Sequence, residues 1–316
     1  MEKGLEGKVA LVAGATRGAG RGIACSLGEA GATVYCTGRS VRGQPATEGR
    51  PETIEETAEL VTARGGTGIH ARVDHTQPEQ VRDVFERVRK EQGRLDILVN
   101  DVWGGDALTE FGKTFWQHSL ANGLTMLEQA LHSHIITSHF GAPLLIETGA
   151  GLIVEITDGD NYGYRGNLFY DLVKTSVIRI AFTMARELRK TSVSVVALTP
   201  GYLRSEAMLE GYGVTEENWR DGAAKDPNFL ESETPFFVGR AVVALATDPE
   251  VSTKTGRAFS SWDLAREYGL KDVDGRQPHW GEHFEKTYGM KLPTCDDAFY
   301  AIWEKCPLDA VFPDWP

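Results

Sequence analysis

"KVALVAGATRGAG", Lys8 to Gly20, is the stretch on which the architecture turns. Lys8 to Ala13 is a short apolar run without alternation, as a strand buried on both faces requires. Gly14, Thr16, Arg17, Gly18 and Gly20 then make a tight turn, and a helical pattern runs from Gly18 to Ala30. Glycines let a backbone approach a diphosphate closely, and the helix that begins there offers free N–H groups and the positive end of its dipole. The spacing is G-x-x-x-G-x-G rather than G-x-G-x-x-G, but the physics is shared. Strand, turn and helix in that order predict a dinucleotide site rather than an unliganded turn.

Outward from that turn the same grammar repeats. "TVYCT", "TGIHARV", "LDILVN", "GLIVEIT" and "VSVVAL" read as further strands. Between them lie helical segments: "PETIEETAELVTARGG" closed by glycines, "QPEQVRDVFERVRKEQG" with Pro78 near its start, a stretch from about Leu124 to Glu147, and one carrying Tyr170. "FVGRAVVALATD" adds another helix. Apolar strands alternating with amphipathic helices predict an α/β fold: a Rossmann-type doubly wound parallel sheet of about seven strands, with helices on both faces. Residues 202–235, rich in Glu, Gly and Asn, read as a mobile segment over a site. The expected organisation is a catalytic dinucleotide-binding domain over 1–260 and a C-terminal extension over 261–316, packed on the same domain.

Composition narrows the function. With 33 Lys and Arg against 45 Asp and Glu, the net charge is −12 and no cation cluster appears, which argues against nucleic acid or an anionic membrane as partner. No apolar run is long enough to span a membrane, and the N-terminus does not read as a secretory signal. None of Cys25, Cys36, Cys295 and Cys306 falls in a C-x-x-C pair, so reduced, packed thiols and a cytoplasmic location are expected. His132, His134 and His139 lack a matching carboxylate set, so no metal site is expected.

The second strand ends in "CTGRS", with no carboxylate for the ribose hydroxyls of NAD. Arg39 stands just beyond it and Arg17 inside the glycine turn. Two guanidiniums without a competing acid favour NADP(H), whose 2′-phosphate accepts paired hydrogen bonds from Arg; NAD(H) is the alternative. Farther on, "FYDLVKTS" places Tyr170 and Lys174 four apart, on one face of a helix. A free tyrosine has a pKa of about 10. A nearby ammonium lowers it, so the phenol can exchange a proton with a carbonyl or alcohol oxygen. Y-x-x-x-K alone is common in helices, but this pair follows the fifth strand of a sheet whose ligands lie at the strands' carboxyl ends.

"GATRGAG", the "LVN" ending at Asn100, "YDLVK" and "TPG" at Thr199–Gly201 together resemble the short-chain dehydrogenase/reductase family in order and spacing, over about residues 7–260. "VVALATDP" and "DLAREYGLKDVDGR" resemble one branch of that family and carry the likeness into the extension. The resemblance implies an oxidoreductase acting on a small-molecule carbonyl or alcohol, and a homo-oligomer. It implies that Tyr170 is the acid/base and Lys174 its activator and ribose ligand. It also implies that Asp74 approaches the adenine, that Asn100 lines the cofactor cleft, and that Pro200 and Gly201 hold the nicotinamide.

Three departures qualify it. The family's substrate-binding serine is absent from "ITDGD"; counting from the strand gives Asp158, and counting back from Tyr170 gives Thr157. A threonine hydroxyl can replace the serine. An ionised aspartate opposes Lys174: at about 5 Å and an effective dielectric of about 20 the effect is roughly 3 kcal/mol, or about two pKa units on the tyrosine. The family's "NNAG" is "NDVW" here, and its helical asparagine falls at Ala130, leaving Glu128, Gln129, His132 and His134 as possible relays. Trp103, Tyr162, Tyr164, Phe169 and Tyr202 cluster in sequence near strand ends and fit either core packing or an apolar, aromatic substrate pocket. The leading expectation is an NADP(H)-dependent oxidoreductase. The rivals are a dinucleotide binder with weak or no turnover, acting as sensor or partner subunit, and an enzyme using the cofactor for epimerisation or dehydration.

Overall fold

A computed structural model describes residues 4–44, 46, 50–292 and 295–305. Cys306 lies outside them. The chain begins with β1 (Val9–Ala13), α1 (Gly18–Glu29), β2 (Thr33–Gly38), α2 (Ile54–Ala63), β3 (Thr67–Arg72), α3 (Pro78–Gln92) and β4 (Ile97–Asn100). It continues through α4 (Leu120–Leu127), a π-helical turn (Glu128–His132), α5 (Ser133–Thr148), β5 (Gly151–Ile156), α6 (Leu168–Glu187) and β6 (Val193–Thr199). After β6 come α7 (Glu206–Tyr212), α8 (Pro235–Thr247), β7 (Ala258–Ser260), α9 (Ser261–Tyr268), α10 (Trp280–Tyr288) and α11 (Asp297–Trp303).

The strands form one parallel sheet of seven, in the order β3-β2-β1-β4-β5-β6-β7. The order reverses between β1 and β4, and the crevice at that switch point is where such sheets hold ligands. Every residue of β1, β4 and β6 is buried, which explains their unbroken apolar runs. Alternate side chains serve opposite faces. Ala10 and Val12 join the core under α1, α2 and α8; Val9, Leu11 and Ala13 join the core under α3, α5 and α6. Truncating a central residue such as Leu11 to Ala costs about 2–5 kcal/mol.

Local signals set the helix ends. The Thr53 hydroxyl accepts the Glu56 N–H at the start of α2, Pro78 occupies the first turn of α3, and Gly93 ends α3 at φ 69°. Helices α1 and α8 cross closely because Gly22 has no side chain; a Cβ there would lie 2.1 Å from the Pro235 carbonyl oxygen.

Two stretches differ from the sequence expectation. The helical stretch after β4 starts at Leu120, earlier than Leu124, and carries the π-helical turn. Residues 202–235, expected to be loose, contain α7 and two 3₁₀ turns around buried Trp219 and Phe229. Arg204, only 1% exposed, lies 4.0 Å from the Trp219 ring centroid and bonds Glu216 and Ser232, so an internal clasp holds the segment.

Candidate active site

The strand ends open on a cleft of about 450 Å³, within the range of small-molecule sites. Its floor is the turn after β1. Gly14 sits at φ 89°, and a Cβ there would lie 2.4 Å from the Asp101 carbonyl oxygen. A Cβ on Gly20 would meet the Gly14 carbonyl oxygen at 2.3 Å. These contacts bring bare backbone and the N-terminus of α1 to the cleft surface. The Gly18 N–H donates to Glu206 Oε2 of α7 at 2.8 Å. A carboxylate thus stands where the fold places a phosphate, which shows that this helix end accepts an anion.

Thr16, Arg17, Arg39 and Asp74 line the same cleft. Among the described residues no side chain hydrogen-bonds or ion-pairs with the Arg39 guanidinium, and Gly38, Arg39 and Ser40 present no carboxylate at the end of β2. Asp74 accepts the Thr76 N–H and hydroxyl through Oδ1, leaving Oδ2 without a described partner. Pro200 and Gly201 form the far wall. The Gly201 N–H donates to Glu233 Oε2 at 2.9 Å, and the Ser261 hydroxyl donates to the same oxygen at 2.6 Å. Burial pushes the Glu233 carboxyl up to about 8.

At the reacting end, helix geometry brings Tyr170 and Lys174 to one face of α6, with the Lys174 ammonium 5.7 Å from the Tyr170 ring centroid. The ammonium rests 4.1 Å from the Trp103 ring centroid and has no hydrogen-bond acceptor among the described residues. Burial lowers its pKa, offset by the charges of Asp158, Asp101 and Asp106. The Tyr170 hydroxyl donates to Asp158 Oδ2 at 2.8 Å. Burial raises the Tyr170 pKa, and the Asp158 charge and hydrogen bond raise it further. The Thr157 hydroxyl is committed elsewhere, donating to the Lys174 carbonyl at 2.7 Å. Asp158 thus occupies the place beside the phenol, and Thr157 ties the end of β5 to α6.

Three residues at the site had no assigned role in the sequence. Asp101 faces the Gly20 N–H and Lys174; burial pushes its carboxyl up to about 7, against the opposing pull of Lys174. Glu155, fully buried in β5, accepts from Asn100 Nδ2 at 2.7 Å, from the Ser138 hydroxyl at 3.1 Å and from His134 Nδ1 at 2.6 Å. His75 bridges the Thr37 and Thr137 hydroxyls, each at 2.8 Å, and burial pushes its pKa down to about 3. A charged residue inside an apolar strand, or directly after one, was the readable signal for Glu155 and Asp101. Asn100, expected to line the cleft, is instead buried behind it and braces β4 to β5 and α5.

Ala130 is buried inside the π-helical turn, against Val173 and Val177 of α6. Of the residues near it, Gln129 reaches the cleft, and His134 Nε2 lies 3.2 Å from the Val102 carbonyl. The Trp103 and Phe111 rings pack on Tyr170 at 5.3 Å and 5.7 Å. Tyr162 instead packs on Phe299 and Trp303 of α11. Among the described residues no group of three His, Cys, Asp or Glu is placed to hold a metal ion.

The chain belongs to the short chain dehydrogenase family of oxidoreductases, whose pattern it matches over residues 8–212, and its parallel sheet carries a glycine turn at the switch point with Tyr170 and Lys174 on the same cleft. It is 38% identical over 277 residues to dehydrogenase/reductase SDR family member 1 of Mus musculus, covering 86% of this chain and 85% of that one. The Homo sapiens protein of the same name matches at the same identity and coverage. Among solved structures, a short chain dehydrogenase from Mycobacterium thermoresistibile superimposes with a TM-score of 0.72 at 21% identity, over 88% of this chain and 92% of that one. The family binds nicotinamide dinucleotides, and the glycine turn lining the cleft, the carboxylate held at the start of α1 and a Lys174 ammonium with no hydrogen-bond acceptor among the described residues fit such a group. No described helix is long and apolar enough to cross a membrane.

Proposed function

We propose that this chain is an NADP(H)-dependent oxidoreductase that interconverts a carbonyl and a secondary alcohol on a substrate with an apolar or aromatic body. The observation that carries this reading is the arrangement of Tyr170 and Lys174 on one wall of the cleft whose floor is the glycine turn. The bound nicotinamide supplies or accepts the hydride. Tyr170 exchanges the proton with the substrate oxygen. Lys174, without an acceptor among the described residues, holds the ribose hydroxyls, and Gly14, Gly18 and Gly20 admit the diphosphate. Arg17 and Arg39 take the 2′-phosphate, and Asp74 approaches the adenine. Pro200 and Gly201 shape the nicotinamide end. Trp103, Phe111 and Tyr202 supply the apolar wall.

Asp158 sets a condition on this chemistry. A carboxylate about 4 Å from a developing alkoxide opposes it by about 1 kcal/mol in open water and about 4 kcal/mol once a ligand excludes solvent. It also holds the phenolic proton. That bond favours a second reading, a dinucleotide-binding protein with slow turnover. A panel of carbonyls and alcohols followed at the nicotinamide absorbance, with both cofactors, separates the two. Turnover with NADPH or NADP⁺ supports the first, and cofactor binding without turnover across the panel supports the second. Free, buried Cys25 and Cys36 suit a reducing, cytoplasmic setting. The exposed Leu120 and Leu124 of α4 and Leu172 of α6 suit a homo-oligomer paired through these helices.

A further inference from the structure

We propose that the reacting end of the cleft takes a substrate with a protonated amine next to the reacting carbon, as in an amino alcohol or its amino ketone, and that Asp158 is the ammonium's partner. The proposal rests on the oxidoreductase reading above and names the substrate class of that same site.

Asp158 has acceptor capacity to spare at the place where chemistry occurs. Its Oδ2 accepts from Tyr170, while its Oδ1 has no hydrogen bond among the described residues. Neither neighbouring cation hydrogen-bonds this carboxylate among the described residues. Arg165 donates to the main-chain carbonyl of Asp158, not to its carboxylate, and pairs with Asp171 at 3.5 Å. The Lys174 ammonium lies on the Trp103 face. Asp106 adds negative charge at the same end, its Oδ1 accepting from Trp103 Nε1 at 2.6 Å. The rings of Trp103, Phe111 and Tyr170 stand edge to face beside these carboxylates. A carboxylate with a free oxygen beside aromatic rings is the chemistry that recognises an ammonium on an apolar body.

The ammonium also answers the difficulty that Asp158 creates. With a neutral ketone, the carboxylate opposes the forming oxyanion and keeps the Tyr170 proton. An ammonium on Oδ1 compensates that charge, so the phenol becomes the better acid when the right substrate is bound. No bond to nitrogen changes. The carbonyl carbon gains the hydride, the C–O π pair takes the Tyr170 proton as an O–H bond, and the ammonium supplies only charge.

The test compares norephedrine with its analogue lacking the amino group, both titrated calorimetrically against the NADP⁺-loaded protein at neutral pH. Wild type is expected to bind norephedrine about tenfold more tightly or better, the worth of one charge-assisted hydrogen bond. In Asp158→Asn and Asp158→Ser the two ligands are expected to bind equally. Unchanged NADPH binding, read by tryptophan fluorescence, shows that both variants remain folded. Equal binding by wild type overturns the proposal, and so does a preference that survives in Asp158→Asn. An Asp158-dependent preference without turnover of either alcohol leaves Asp158 as an ammonium site but overturns the oxidoreductase reading, and with it the placing of the amine next to a reacting carbon. Equal kcat/KM for the two alcohols overturns the proposal and leaves the oxidoreductase reading intact.

Discussion

The two ends of the cleft differ in their charged groups and obey the family pattern to different degrees. At the β1–β2 end, Arg17 and Arg39 face bare glycine backbone and no carboxylate follows β2. At the β4–β6 end, Asp101, Asp106 and Asp158 surround one ammonium, Lys174. The first end has a generic task, because any dinucleotide presents the same diphosphate, and backbone N–H groups and a helix dipole suffice. At the second end the sequence departs from the pattern it resembles elsewhere, reading "ITDGD" after β5, "NDVW" after β4 and Ala130 in the π-helical turn.

The sharpest test of that difference is at Tyr170. Tyr170→Phe removes the proton and nothing of the glycine cradle. Hydride transfer is expected to fall by about 10²–10⁴, the usual worth of a positioned acid–base group, while the NADPH dissociation constant by fluorescence titration stays unchanged. Unchanged turnover would show that the reacting end uses another acid. At the other end, Arg39→Asp should weaken NADPH by about 10–100-fold through loss of a charge-assisted bond and leave NADH nearly unaffected. Equal weakening of both cofactors would remove the 2′-phosphate from Arg39.

Much of the fold was legible because the central strands of a doubly covered sheet are unbroken apolar runs, and helices such as α2 and α3 end at glycines. The short β7, "AFS", escaped because three residues carry no pattern. The π-helical turn escaped because periodicity over a long helix averages out one widened turn. At the site, counting placed the family serine at Thr157 or Asp158 and left the choice open. Successive side chains on an extended segment point to opposite sides, so a one-residue ambiguity is the difference between a hydroxyl bonded under α6 and a carboxylate beside the phenol. Asn100 was misplaced for the same reason: a strand-end residue faces either the cleft or the sheet's interior, and only the partners Ser138 and Glu155 decide.

The Pro200–Gly201 turn adds a pH-dependent test, expected to move stability by a few degrees. Glu233 is 1% exposed, bonds the Gly201 N–H and the Ser261 hydroxyl, and leaves Oε1 without a partner among the described residues. Its carboxyl is pushed up to about 8, against about 4.3 in an unfolded chain. A raised carboxyl favours folding fully below the unfolded value, and that stability is lost as pH rises towards about 8 at about 1.4 kcal/mol per unit. Melting curves between pH 5 and 8, a window chosen from those two values, should therefore show wild type losing stability relative to Glu233→Gln. Parallel curves would mean that Glu233 is already ionised and paired at neutral pH.

The smallest effect tests whether the cationic end is held in reserve by the protein itself. Glu206 of α7 places Oε2 2.8 Å from the Gly18 N–H and Oε1 3.8 Å from the Arg21 guanidinium, at the helix end where a dinucleotide would place its phosphates. A phosphate bound at this terminus would meet the charge of this carboxylate. Glu206→Gln keeps the side-chain length and removes the charge. NADPH should then bind about two- to fivefold more tightly, the worth of one charge at a helix N-terminus, with the gain shrinking in high salt as exposed charges are screened. Weaker binding by the variant would mean that Glu206 helps to build the phosphate cradle rather than competing for it.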